Sequence, residues 1–344
     1  MTRDTTLIAV AALASSVFLT GVVRRFALLH GVLDIPNQRS SHRVPTPRGG
    51  GVAIVLTASS GFALLTMFGV LDTGLLGALL GGLAVATVGF LDDRRPMRAS
   101  IRLAVHFAAA LWALAYLGGV PPVQFGNELV SLGAMGNVLG ALVIVWTLNL
   151  FNFMDGIDGL ATSEAVFISW SGAVLCSGSS IAAAAIVFGA ACCGFLVWNR
   201  PPAKIFMGDA GSGFLGYVIG VLILSSAHGS PHTPWVWLIL GGVFYVDATV
   251  TLARRALRGE RVSDAHRSHA YQWLSRRWGS HGRVTSTMML LNLIWLLPCA
   301  YLATIFPSFS SWIALGSLVP LVVAAIAIGA GRREGASSDP TLKG

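Results

Sequence analysis

Residues 149–161 read Asn-Leu-Phe-Asn-Phe-Met-Asp-Gly-Ile-Asp-Gly-Leu-Ala. They follow directly on an apolar run, 138–148, and lead into another. Asp155 and Asp158 therefore fall where a membrane helix should end, and each is followed by a glycine. An ionisable side chain at that depth is costly unless it has a partner or a task. The glycines favour a turn that presents both carboxylates. Asn149 and Asn152 carry the polar character back into the run at three-residue spacing. Such a stripe can serve only to bond a neighbouring helix. A stripe that ends in two carboxylates points to a site.

The rest of the chain suits a bilayer. Of 344 residues, 54% are hydrophobic and only 11% are charged, where soluble domains carry roughly a quarter charged residues. A spanning helix needs about 20 mostly apolar residues. That rule predicts an all-α polytopic membrane protein with eleven spans, at 5–23, 50–70, 73–91, 101–119, 137–154, 161–177, 180–198, 212–228, 235–256, 286–306 and 311–330. The first run lacks a small-residue cleavage pattern and reads as a retained helix. The net charge of +8 forms no single basic patch, which excludes a nucleic-acid partner. Of 23 Lys and Arg, all but Arg3 fall on one side of alternating spans. By the positive-inside rule that side is the cytoplasm, with the N-terminus outside and the C-terminus inside. Residues 1–331 then form one transmembrane catalytic domain and 332–344 a disordered cytoplasmic tail. Cys176, Cys192, Cys193 and Cys299 fit neither a disulfide framework nor a zinc site.

The same topology gathers the polar motifs, 34–51, 92–98, 152–159, 199–213 and 258–285, on the inner face. Asp92 and Asp93 are adjacent like charges that call for a cation, which Arg94, Arg95 or Arg98 could supply. The plainer reading is a solvated helix end. Residues 206–213, Phe-Met-Gly-Asp-Ala-Gly-Ser-Gly, leave backbone N–H groups open to phosphate where a helix begins. Asp209 there suits Mg²⁺, which takes one or two carboxylates plus substrate phosphates, or it caps the helix. In 264–272, Asp-Ala-His-Arg-Ser-His-Ala-Tyr-Gln, His266, Arg267 and His269 suit a phosphate or diphosphate, or simply a headgroup-level loop. The loop 34–51 is rich in Pro, Gly and Arg and ends in Arg48 and three glycines, an anion-binding or linker composition. Asp247 reads as a buried acid paired near Arg254, and His106 as a helix–helix hydrogen bond.

Four motifs in order carry a resemblance: Asp92-Asp93, Asn152 to Ala161, Phe206 to Ser212, and His266-Arg-Ser-His269. The chain resembles the polyprenyl-phosphate N-acetylhexosamine-1-phosphate transferases. Its loops at 40–51 and 266–272 look most like the O-antigen-initiating branch. The resemblance implies that a UDP-N-acetylhexosamine gives its sugar 1-phosphate to undecaprenyl phosphate and releases UMP. The implied donor is a 6-deoxy sugar such as UDP-N-acetylfucosamine or UDP-N-acetylquinovosamine, with UDP-N-acetylglucosamine as the alternative. It implies Mg²⁺ or Mn²⁺ on Asp209, and Asp92 and Asp93 at the reacting phosphates, one as base or nucleophile. Asp158, Gly156 and Ile157 would line a uracil pocket, with Phe206 stacked on the base. His266 and His269 would touch sugar or diphosphate, and Asn152, Asp155, Arg267 and Arg48 would complete the substrate contacts. The implied location is the bacterial inner membrane, with the active site facing the cytoplasm; dimers occur in the family. One departure stands out. Some relatives have Lys three residues after the second Asp of the pair, where this chain has Pro96, so Arg95 or Arg98 is expected to substitute. A transporter of lipid-linked sugars is the rival class, but it should carry ionisable groups at midmembrane and on both faces.

Overall fold

The structure is a computed structural model that describes residues 2–36, 44–175, 180–261 and 266–333. Ser40 to Arg43, Cys176, Asp264, Ala265 and the tail from 334 lie outside the described residues. With no water in hydrocarbon, backbone groups must be satisfied within each segment, and the apolar runs accordingly form helices. In chain order these are α1 (Arg3–Leu29), α2 (Gly51–Met67), α3 (Thr73–Leu80), α4 (Gly82–Arg94), α5 (Ala99–Leu117), α6 (Gly133–Met154), α7 (Leu160–Leu175) and α8 (Ser180–Asn199). They continue with α9 (Asp209–Gly229), α10 (Thr233–Leu240), α11 (Gly242–Ala256), α12 (Ala270–Trp278), α13 (His281–Leu291), α14 (Leu297–Ile305) and α15 (Ser310–Ile328). Two short antiparallel pairs interrupt them: β1 (Leu33–Asp34) with β2 (Thr46–Pro47), and β3 (Val123–Phe125) with β4 (Glu128–Val130).

The chain is thus an all-α polytopic membrane protein, and each of the eleven expected runs is helical. Among the described residues, eight helices are long and apolar enough to cross a bilayer. α3 and α4 together make one of these, Thr73–Arg94. α2 and α7 are apolar but shorter. The expected run 235–256 is no straight span, because α10 and α11 meet at 74°. Gly241 sits at the break, where the absence of a side chain lets a helix kink. The run expected at 286–306 begins earlier, at His281, and carries a π-helical segment, Asn292–Leu296, between α13 and α14. α12 is a short amphipathic helix outside the spans.

α9 is the axis of the bundle. Every residue from Ala210 to Ala227 is buried, and α2, α4, α6, α7 and α10 all pack on it. Small residues permit this approach. A Cβ on Gly216 would lie 2.4 Å from the Thr147 carbonyl oxygen of α6. The first residue of this axis is Asp209. The connections at its other end hold one another: Gln124 N donates to Pro231 O at 3.0 Å and Gly126 N to Ser311 Oγ at 3.3 Å.

Candidate active site

At the Asp209 end, the bundle opens into a cavity of about 340 Å³. All five motif segments meet there. Asp93, Asp209, Asn152, Asp155, Gly156, Ile157, Asp158, Phe206, Arg48, His266 and Arg267 line it. Asp92 and His269 stand behind it. A wider cavity of about 880 Å³, sharing Asp158, Phe206, Arg267 and His281, continues between the 201–203 turn and the start of α13.

The acids are placed by helix ends. α4 brings Asp93 against the start of α9, where its Oδ2 accepts from Ala210 N at 3.4 Å. A negative group there satisfies an unpaired helix N–H and meets the positive end of the dipole. This contact needs two glycines. A Cβ on Gly89 would lie 2.5 Å from the Asp209 carbonyl oxygen. A Cβ on Gly208 would lie 2.6 Å from Asp93 Oδ2, and Gly208 has φ +78°, a backbone region that favours glycine. Gly208 is the N-cap of α9, so Asp209 is not the cap but the first helical residue. Successive helix residues point about 100° apart, and Asp92, unlike Asp93, is not among the residues that line the cavity. Its carboxylate instead accepts from Met97 N at 2.6 Å and pairs with Arg102 Nη1. The same Arg102 nitrogen lies 3.5 Å from Asp209 Oδ2. The cations of the acidic pair are therefore Arg102, one turn inside α5, on Asp92 and Arg48, whose Nη2 donates to the Asp93 carbonyl, and not Arg94, Arg95 or Arg98. Arg94 stacks over Phe90 instead, 4.3 Å from the ring centroid.

α6 ends at Met154, and 155–159 form the expected turn. Asn149 bonds back to Val145 O of its own helix, whereas Asn152 Nδ2 reaches Ser212 Oγ of α9 at 3.1 Å. Burial raises the Asp155 pKa well above the usual carboxylate range, and the charges of Asp209, Asp93 and Asp158 raise it further. Asp158 is held on three sides. Its Oδ2 accepts from Ala203 N at 3.0 Å, its Oδ1 meets His281 Nδ1 at 3.2 Å, and its carbonyl accepts from Thr285 Oγ1 at 3.1 Å.

The histidine loop is organised by Asp247 of α11. Asp247 is 3% exposed and bonds Ala270 N at 2.8 Å, Tyr271 N at 3.0 Å and His269 Nδ1 at 3.3 Å. It thus caps α12 from another helix. The expected buried, paired acid has His269 as its side-chain partner, while Arg254 reaches Ala330 O. His269 is 2% exposed and stacks behind His266 with ring centroids 5.0 Å apart. Tyr271 OH donates to Phe153 O at 2.9 Å, tying this loop to the end of α6. Gly331 N donates to Ser268 O at 2.7 Å, so the end of the last span braces the loop. His106 lies buried one turn below Arg102, and its Nδ1 makes no hydrogen bond, unlike the expected helix–helix bond. The cysteines of the described residues, Cys192, Cys193 and Cys299, are free thiols.

A cavity with phosphate-ready helix ends and clustered acids at one end of a membrane bundle narrows the family. A model of glycosyl transferase family 4 matches residues 75–227, which span α3 to α9. A phospho-N-acetylmuramoyl-pentapeptide-transferase of Saccharopolyspora erythraea is 32% identical over 70% of this chain and 79% of its own length. The chain belongs to this family, the polyprenyl-phosphate N-acetylhexosamine-1-phosphate transferases. Two further relatives match over more of the chain. A probable undecaprenyl-phosphate N-acetylglucosaminyl 1-phosphate transferase of Bacillus subtilis (strain 168) is 29% identical over 91% of this chain and 88% of its own. A decaprenyl-phosphate N-acetylglucosaminephosphotransferase of Mycobacterium tuberculosis (strain ATCC 25618 / H37Rv) is 29% identical over 94% and 89%. As a member of this family the protein is a phosphotransferase that moves a sugar 1-phosphate to a polyprenyl phosphate. Sequence reasoning missed Arg102, which hides inside an apolar run, and His281, which lies in the segment 258–285 but outside its His266–Gln272 stretch. The polar Ser212 and Gln272 of the cavity were quoted within motifs without a role.

Proposed function

We propose that the protein transfers the sugar 1-phosphate of a UDP-N-acetylhexosamine to undecaprenyl phosphate, with release of UMP, at the cytoplasmic face of a bacterial inner membrane. The observation that carries this is the Asp93–Asp209–Arg102 cluster at the start of α9. It puts two carboxylates and a helix N-terminus on one small cavity, with a guanidinium against one of the carboxylates. The donor set fits Mg²⁺. Five carboxylates, Asp34, Asp93, Asp155, Asp158 and Asp209, line the cavity, and burial together with the charges of Asp209, Asp93 and Asp158 raises the Asp155 pKa, an excess of negative charge that a divalent cation relieves. Asp209, with Asn152 beside it, would hold the ion, which would supply charge neutralisation between donor diphosphate and acceptor phosphate. Arg102 bridges Asp92 and Asp209 and orients them. Arg48 and Arg267 present guanidinium groups to phosphate oxygens. Asp158, fixed by Ala203 and His281, stands where Phe206 can stack a base beside it.

Two donors are in play. The loops at 40–51 and 266–272 favour a 6-deoxy sugar, and the names of the Bacillus and Mycobacterium relatives favour N-acetylglucosamine. The deciding experiment is purified protein with undecaprenyl phosphate, Mg²⁺ and a panel of radiolabelled UDP-sugars. A lipid-linked product and UMP in equal amounts are expected with one N-acetylhexosamine. No lipid product with any of them would overturn the reading and favour a transporter of lipid-linked sugars.

A further inference from the structure

Outside the site, Glu164 of α7 and Asn292, the first residue of the π segment, meet inside the bundle. Glu164 Oε2 accepts from Asn292 Nδ2 at 2.6 Å, and both side chains are wholly buried. The other oxygen of each, Glu164 Oε1 and Asn292 Oδ1, is buried without a hydrogen-bond partner. Among the described residues no Lys, Arg or His forms an ion pair with Glu164. An ionised Glu164 would be a lone charge in apolar surroundings, and each leftover acceptor carries its own desolvation cost. One proton removes both faults. The neutral acid gains an O–H to donate, and the amide oxygen of Asn292 is the complementary acceptor.

The pair lies on a particular line. His281 and Thr285 of α13 and Asn292, the next residue after it, follow one face at spacings of four and seven. The first two bond Asp158, through its side chain and its carbonyl. Glu164 follows Asp158 by six residues on α7. The two helices are therefore fastened at the cavity and again deeper in the bundle. A π segment begins at Asn292, and π turns recur at functional sites.

We propose that Glu164, carried as the neutral acid and paired with Asn292, is a positioning residue that fixes the register of α13 on α7 and so holds His281 against Asp158 in the donor pocket. This rests on the reading of that cavity as a UDP-sugar site. The test uses the full chain in detergent and the donor that the panel selects. Gln at 164 preserves both hydrogen bonds without a titrating group, so E164Q should keep the wild-type KM and kcat. E164L should raise the KM for the donor by about tenfold, with kcat changed less than about twofold. Where E164L does not accumulate, N292S carries the KM arm. Infrared difference spectra, wild type minus E164Q at neutral pH, should show the carbonyl stretch of a neutral carboxylic acid. An inactive E164Q, a carboxylate band in that spectrum, or an unchanged KM in E164L or N292S would overturn the proposal. Should the wild type use no UDP-sugar at all, the reading of the cavity fails, while the infrared arm still decides the state of Glu164.

Discussion

Arg102 touches two acids that the chain keeps on different helices, Asp92 on α4 and Asp209 on α9. Removing it would take away the cation that Asp92 and Asp209 share. R102Q is expected to lower kcat by about 10²-fold or more. R102K should retain part of the activity, because it keeps the charge and loses the planar fork. D209N should abolish turnover; wild-type activity in that variant would contradict the metal assignment. The acids themselves were legible, since a carboxylate at the end of an apolar run has few innocent explanations. Arg102 was not. Its partner is ten residues away in sequence, and a basic residue within a span reads as topology. His281 was hidden for a related reason: it meets Asp158 only once α13 has packed on α7.

The helices follow from composition, but their breaks do not. Gly241 and Gly242 sit in a run as apolar as its neighbours, so nothing along the chain distinguishes a 74° bend from a straight span. α12 has nine residues, too few for a periodic signal, and its own His269–Gln272 capping box is reinforced by Asp247 on α11. Losing that reinforcement should cost about 1–2 kcal/mol and free His269 to turn. D247A is therefore expected to lower the thermal unfolding midpoint and to reduce turnover together, whereas D247N, which keeps one acceptor, should be milder on both. G89A tests the packing of α4 on α9. Its methyl would meet the Asp209 carbonyl, so activity should fall although no polar group has been removed.

At the scale of the molecule, chemistry and charge sit at one end. His228 bonds Gly119 O and His232 bonds Ser230 Oγ at the other, and H228A/H232A should leave turnover unchanged. On the basic end, Glu260 accepts from Arg258, Arg255 and Arg333, which lower its pKa from 4.5 to about 2. A depressed carboxylate stabilises the fold above its unfolded pKa and loses that contribution as pH falls through the folded value. The difference in unfolding midpoint between wild type and E260Q should thus be constant above about pH 4.5 and shrink toward pH 2. The gathering of five inner segments was legible from the Lys and Arg count alone, because the rule that orients spans also sorts the loops between them. The burial of α9 has a consequence for the membrane itself. Bilayers of different thickness strain the helices that face lipid, which tilt or bend to match. α9 faces none, and Asp209 is its first residue. Asp209 is thus mounted on a helix that lipid length does not reach, so turnover should hold steady across vesicles of short and long acyl chains.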